Sequence, residues 1–240
     1  MVLGESLSAV LFDLWRTLAY SDEEGRQRDE ENVVTFLKSF NPAVDIEMYR
    51  GLRKKFHTDL TTGKLSLNEV NARIAEEIGA PPQAATTLTK AVEAAVVRNV
   101  RAYDGAHDVL DGLREEGLLL GLVTNCAGDT LGLLRKVDLD LFDAYGFSDE
   151  VGVRKPDPKI YVKVTGELGV GPERCVFVSD EIEDLVGASK LGMRTVHVVR
   201  AKGGRIFDVD DYAADFKPDA SVSSLYAVYD VVLGWVDEGR

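Results

Sequence analysis

The sequence predicts an α/β fold built on a parallel sheet, and two observations carry that expectation. Short apolar runs recur and end abruptly in polar residues: Ala9–Phe12 before Asp13, Leu118–Val123 before Thr124 and Asn125, Cys175–Val178 before Ser179 and Asp180. Stretches with helical spacing of apolar residues separate these runs. Strands that alternate with helices imply a parallel sheet with right-handed crossovers.

Taken in order, Ala9–Phe12 is the first strand. Residues 20–32 are dense in Asp, Glu, Arg and Gln, which suits a solvated linker or a helix start. From about 30 to 100 the spacing turns helical. Val33, Phe36, Leu37 and Phe40 recur on one face, as do Met48, Leu52 and Phe56, then Val70, Ile74 and Ile78, stopped by Gly79 and Pro81-Pro82. Ala84–Val100 is a further Ala-rich helical stretch, and no convincing strand interrupts this region, which reads as a helical insert. Beyond Asp104-Gly105, Val109, Leu110 and Leu113 mark an amphipathic helix that stops at Gly117. Leu118–Val123 is a buried strand, 128–136 a helix, Ala144–Phe147 a short strand, and Ile160–Leu168 a helix. Cys175–Val178 and Thr195–Val199 are strands around a helix at Leu185–Leu191. A weaker strand near Ala220–Val222 precedes a helix over Leu225–Val236.

Composition bounds the function classes. The 240 residues are 45% hydrophobic and 29% charged, ordinary for a globular chain with a sizeable core. The formal charge of −13 argues against nucleic acid or an anionic membrane surface, both of which need a basic face. It leaves room for a small phosphate ester, because a metal ion and one lysine set the local field. No apolar run of about 18 residues predicts a membrane-spanning helix. The two cysteines, Cys126 and Cys175, lack metal-ligand spacing and suit a reduced compartment, so the expected location is cytoplasmic.

The strand ends carry the chemistry. All strand C-termini of a parallel sheet lie along one edge, where ligands bind. Asp13, Thr124-Asn125, Lys155 and the pair Asp180/Asp184 can therefore converge. They offer a carboxylate nucleophile, hydroxyl and amide donors, a cation and further carboxylates. That set suits phosphoryl transfer to a carboxylate with Mg²⁺, which favours a few carboxylates plus water and phosphate oxygens.

Four segments resemble, in order, the motifs of the haloacid dehalogenase superfamily of hydrolases: Phe12-Asp13-Leu14-Trp15-Arg16-Thr17-Leu18; Leu122-Val123-Thr124-Asn125; Lys155-Pro156-Asp157-Pro158-Lys159-Ile160-Tyr161; and Val178-Ser179-Asp180-Glu181-Ile182-Glu183-Asp184. The resemblance implies a Rossmann-like α/β core over 1–19 and 101–240, with a small helical cap domain inserted over 20–100. It implies that Asp13 attacks the substrate and carries the covalent intermediate. Thr124 and Lys155 would hold the phosphate, with Asn125 and Arg16 also facing substrate. Mg²⁺ would sit on Asp13, Asp180 and the backbone carbonyl of Trp15, with Asp184 in support.

Two departures qualify this picture. Family phosphatases usually carry an Asp where Trp15 stands, which protonates the leaving alkoxide and then activates water. An indole N–H does neither. The dehalogenase branch carries an aromatic residue at that position and works without metal, yet Asp180 and Glu181 depart from its fourth motif. Arg16 stands where the family normally has Gly, a residue suited to a tight turn. The expected activity is a Mg²⁺-dependent phosphohydrolase of small phosphomonoesters with weakened acid/base catalysis, as a monomer or homodimer. A metal-independent 2-haloacid dehalogenase and a catalytically impaired binding or regulatory protein are the alternatives.

Overall fold

A computed structural model describes residues 6–200 and 215–238. Its centre is a six-stranded sheet: β1 (Ala9–Phe12), β4 (Leu119–Thr124), β5 (Ala144–Phe147), β6 (Cys175–Ser179), β7 (Arg194–Val198) and β8 (Ala220–Val222), in the order β5-β4-β1-β6-β7-β8. Every neighbouring pair in this sheet is parallel. β1 lies between β4 and β6, in register Phe12↔Leu122 and Phe12↔Val178. The residues that follow these three strands therefore emerge side by side.

The central strands β1, β4 and β6 are almost wholly apolar because both their faces are covered. Side chains alternate across the sheet. Val10, Phe12, Leu120, Leu122, Val176 and Val178 belong to one core cluster with Leu110 and Leu113 of α5 (Ala106–Glu115) and Val228 and Val232 of α10 (Leu225–Glu238). Ala9, Leu11, Val123 and Phe177 belong to a second, with Ile160, Tyr161 and Val164 of α8 (Pro158–Leu168) and Leu185 and Ala188 of α9 (Ile182–Ser189). Gly121 lets α8 approach closely, since a Cβ there would stand 2.6 Å from Val164 Cγ1. Thr130–Lys136 forms α6, and Ser148–Val151 forms the short α7.

Four helices occupy the stretch between β1 and α5: α1 (Glu23–Lys38), α2 (Ile46–Thr61), α3 (Leu67–Glu77) and α4 (Gln83–Asn99). They enclose a third cluster that includes Val33, Leu37, Phe56, Ile74 and Leu88. Ser66 and Glu69 form a capping box at the start of α3. Two expectations need correction here. Phe40 lies beyond the end of α1 and is exposed, and Met48 points outward from α2, so neither belongs to the apolar face that its spacing suggested. A strand pair also brackets the helices: β2 (Ala19–Ser21) pairs antiparallel with β3 (Val100–Ala102). Each strand is three residues long, too short to show a period of two, and the partner lies about eighty residues away in the chain.

Candidate active site

Asp13 follows β1 directly, its backbone N–H bonded to the Val178 carbonyl at 2.9 Å, and its carboxylate is buried. Lys155 reaches it from the loop before α8, placing Nζ 2.5 Å from Asp13 Oδ1 and 2.7 Å from Asp184 Oδ2. All three side chains are nearly free of solvent. Burial pushes the Asp13 carboxyl up to about 7, against the pull of the Lys155 ammonium, and Asp184 and Asp180 add to the rise. Burial works against the Lys155 charge, but Asp13 and Asp184 overcome it and hold the lysine firmly protonated. A buried ammonium between two carboxylates is satisfied only by such close pairing.

The Lys155 backbone is fixed by Asn125, the residue after β4 and Thr124. The Lys155 N–H donates to Asn125 Oδ1 at 2.8 Å, and Asn125 Nδ2 donates to the Lys155 carbonyl at 3.4 Å. The Lys155-Pro156 peptide is cis. Asp157 then caps α8, accepting from the Lys159 N–H, with Pro158 in the first turn. Thus Asn125 ties the lysine loop to the end of β4. Thr124 is buried, and its Oγ1 has no hydrogen-bond partner among the described residues. An unpartnered buried hydroxyl is costly, and a phosphoryl oxygen would satisfy it.

Asp180 follows β6. Thr17 links it to the nucleophile: the Thr17 hydroxyl donates to Asp13 Oδ2 at 3.2 Å and accepts from the Asp180 N–H at 3.0 Å. Arg16 Nε lies 2.8 Å from Asp180 Oδ2. Burial raises the Asp180 carboxyl, and Arg16 holds it back. Asp180 Oδ1 is buried and has no hydrogen-bond partner among the described residues. Asp184, in the first turn of α9, is engaged by Lys155, and the Tyr161 hydroxyl donates to its backbone carbonyl at 2.8 Å. Tyr161 is otherwise core.

Asp13, Thr124, Lys155, Asp180 and Asp184 therefore gather at one edge of the sheet. Arg16 is brought onto Asp180. Sequence reasoning missed Thr17 as the bridge between two acids, and it missed Arg200. Arg200 Nε donates to the Arg16 carbonyl at 3.0 Å and Nη2 to the Thr17 carbonyl at 2.7 Å, while its guanidinium carbon lies 3.7 Å from the Tyr103 ring centroid. Arg200 comes just after β7, so the strand-end logic that singled out Asp13 and Asp180 could have found it.

The donor set bears on a metal. Among the described residues no group of three or more His, Cys, Asp or Glu side chains is arranged to hold an ion. Mg²⁺ does not require one, since it takes one or two carboxylates together with water and substrate oxygens. The orphaned Asp180 Oδ1 fits this demand. Trp15 is half-buried.

A parallel sheet with a buried acid at the end of its central strand, paired to a lysine from a neighbouring loop, is the core of an enzyme site. The family description "haloacid dehalogenase-like hydrolase" matches residues 7–192. A glyceraldehyde 3-phosphate phosphatase of Methanopyrus kandleri is 30% identical over 94% of this chain and 97% of its own. (S)-2-haloacid dehalogenase 4A of Burkholderia cepacia is 33% identical over 43% of this chain and 46% of its own. The crystal structure of a 2-haloacid dehalogenase from Pseudomonas syringae pv. Tomato shares the fold, with a TM-score of 0.69 and 22% identity over 95% of this chain and 99% of that one. The chain belongs to the haloacid dehalogenase-like hydrolase family, and it is a hydrolase. Among the described residues no helix is long and apolar enough to cross a membrane.

Proposed function

We propose that the protein is a Mg²⁺-dependent phosphohydrolase of a small phosphomonoester, working through a phosphoaspartate on Asp13. The observation that carries this reading is the buried Asp13–Lys155 pair, with the unpartnered Thr124 hydroxyl and Asp180 oxygen at the same sheet edge. In the first step an Asp13 carboxylate oxygen bonds to phosphorus as the phosphorus–oxygen bond to the alcohol breaks. Lys155 and Thr124 hold the phosphoryl oxygens. In the second step water bonds to phosphorus as the bond from phosphorus to the Asp13 oxygen breaks, which releases inorganic phosphate, restores the carboxylate and gives up a proton to solvent in balance with the one the departed alkoxide takes from solvent. Asp13, Asp180 and the Trp15 carbonyl would hold Mg²⁺, and Asp184, tied to Lys155, would support it from a distance. When bound, the ion supplies positive charge that lets a phosphate dianion approach these acids.

The leaving oxygen needs a proton that Trp15 cannot give, so activated esters are the best substrates. The stretch over 20–100 acts as a cap above the core formed by 1–19 and 101–240, and selects the substrate. A cytoplasmic setting fits such a substrate and the two unpaired cysteines.

Trp15 supports a second reading, metal-independent dehalogenation of a 2-haloacid, which the dehalogenase branch performs with an aromatic residue there. Both readings are separated by one assay on the full chain, with an aryl phosphate and a set of haloacids, in Mg²⁺ and in chelator. Phosphate release that needs Mg²⁺ and disappears in Asp13→Asn is expected. Halide release in chelator, with no phosphate release in Mg²⁺, would replace the first reading with the second.

A further inference from the structure

We propose that Arg16 is a built-in cation on the metal-binding carboxylate, and that it sets the site's affinity for Mg²⁺ low. The inference rests on the reading of Asp180 as a metal ligand, and it adds a residue that opposes the metal.

Arg16 has φ +63°, in the left-handed region where a residue with a Cβ is strained. Its backbone is held there from both sides. The Arg16 N–H donates to the Ala19 carbonyl at 2.6 Å, and Arg200 takes the Arg16 and Thr17 carbonyls. In this conformation the side chain reaches Asp180, with Nε 2.8 Å from Oδ2 and the Asp180 side chain only 3% exposed. The guanidinium thus occupies one carboxylate oxygen, and the other, Oδ1, is the buried atom without a partner.

The charges at the site make the consequence clear. Asp13, Asp180 and Asp184 are the site's acids, Lys155 and Arg16 are the cations paired directly to them, and Glu181 and Arg200 act on Asp180 from further out. A divalent ion taking Asp180 Oδ1 would sit across one carboxylate from a guanidinium. It would share that carboxylate's charge and be repelled by the arginine, in surroundings where burial weakens solvent screening. A Gly at this position would leave Asp180 to the ion alone and would also relax the backbone. Arg16 therefore favours a site that fills with metal only at high concentration, or together with the phosphate of a substrate.

Calorimetric titration of the full-length protein with Mg²⁺ alone tests this without reference to turnover. Arg16→Gly is expected to bind Mg²⁺ about tenfold more tightly than the wild type, and Arg16→Lys, which keeps the charge, to stay within about threefold of it. Gly is at ease at φ +63°, but Arg16→Gly also leaves the buried Asp180 carboxylate without its cation, so thermal melts in chelator first establish that the variant is folded at the titration temperature. Equal or weaker binding by Arg16→Gly, or equal gains in Gly and Lys variants, overturns the proposal. Asp180→Asn in the Arg16→Gly background separates the two levels. Loss of binding there keeps the metal reading standing whatever Arg16 does. Undiminished binding, or no binding by any variant, removes the metal reading and this proposal with it.

Discussion

Asp13 sits where folding disfavours its charge. Its carboxyl is pushed from an ordinary 3.8 up to about 7, chiefly by burial. A folded-state pKa above the unfolded value means that the folded chain holds the proton more tightly. The stability from this group is full below about pH 4 and is lost as pH rises through about 7. Asp13→Asn does not titrate. With chelator present, its unfolding free energy relative to the wild type is expected to rise by on the order of 2 kcal/mol between pH 4 and pH 8, on top of whatever the lost pairing with Lys155 costs at every pH. Denaturant melts across that range measure it, and a gap that stays constant with pH would contradict the burial argument. Trp15 poses the complementary question. Trp15→Asp returns a carboxyl to the position where the family's phosphatases carry their acid. For an alkyl phosphate, whose leaving oxygen needs a proton, kcat is expected to rise by ~10–10²-fold. For an aryl phosphate, whose leaving group needs little help, the gain should be within about threefold. Equal gains on both substrates would speak against a missing proton donor.

At the scale of elements, the lysine loop is held by its neighbours on three sides. Asn125 after β4 grips the Lys155 backbone, Asp157 and Pro158 start α8, and α9 presses on Pro156. Gly187 makes the last contact possible, for a Cβ there would stand 2.8 Å from Pro156 Cβ and 2.9 Å from the Pro156 carbonyl oxygen. Gly187→Ala must push α9 and the loop apart. Overpacking of this kind costs about 1–3 kcal/mol, and here it also shifts Lys155 from Asp13. A lower urea midpoint together with a lower kcat is therefore expected. A variant with wild-type stability and rate would show that the loop gives way freely.

Across the whole molecule, the four helices between β2 and β3 carry an apolar cluster of their own, and few buried contacts tie them to the sheet. One tie is Ser148 at the start of α7. Its hydroxyl donates to the Thr61 carbonyl at the end of α2 at 2.6 Å and accepts from the Cys126 N–H at 2.9 Å. Gly63 packs beside it, with φ +66° and a Cβ direction that runs straight into the Asp149 carbonyl. Ser148→Ala leaves two buried backbone groups without their partner, at about 1–3 kcal/mol. The amides around Thr61–Leu65 are expected to exchange hydrogen faster in this variant, while those of β1 and β6 keep their protection. Uniform acceleration over the whole chain would show instead that the sheet and the helices open together.

The sequence by itself determined the α/β class, the sheet's principal strands and the acids at their ends. Those features rest on local signals, an apolar run of four to six residues and the polar residue that stops it. Asp13, Thr124 and Asp180 were legible for that reason. So were most of the helices, although Phe40 and Met48 show that helical spacing alone does not say which apolar residues are buried. The tertiary structure decided the partners. Arg16 meets Asp180 across 164 residues, and Lys155 meets Asp13 across 142. It also decided that Asp184 serves Lys155, that Asn125 holds a backbone, and that Thr17 and Arg200 fix the loop after β1. The physical reason is that a residue's type and spacing set which chemistry it offers, whereas burial and the packing of distant elements set which groups it must satisfy.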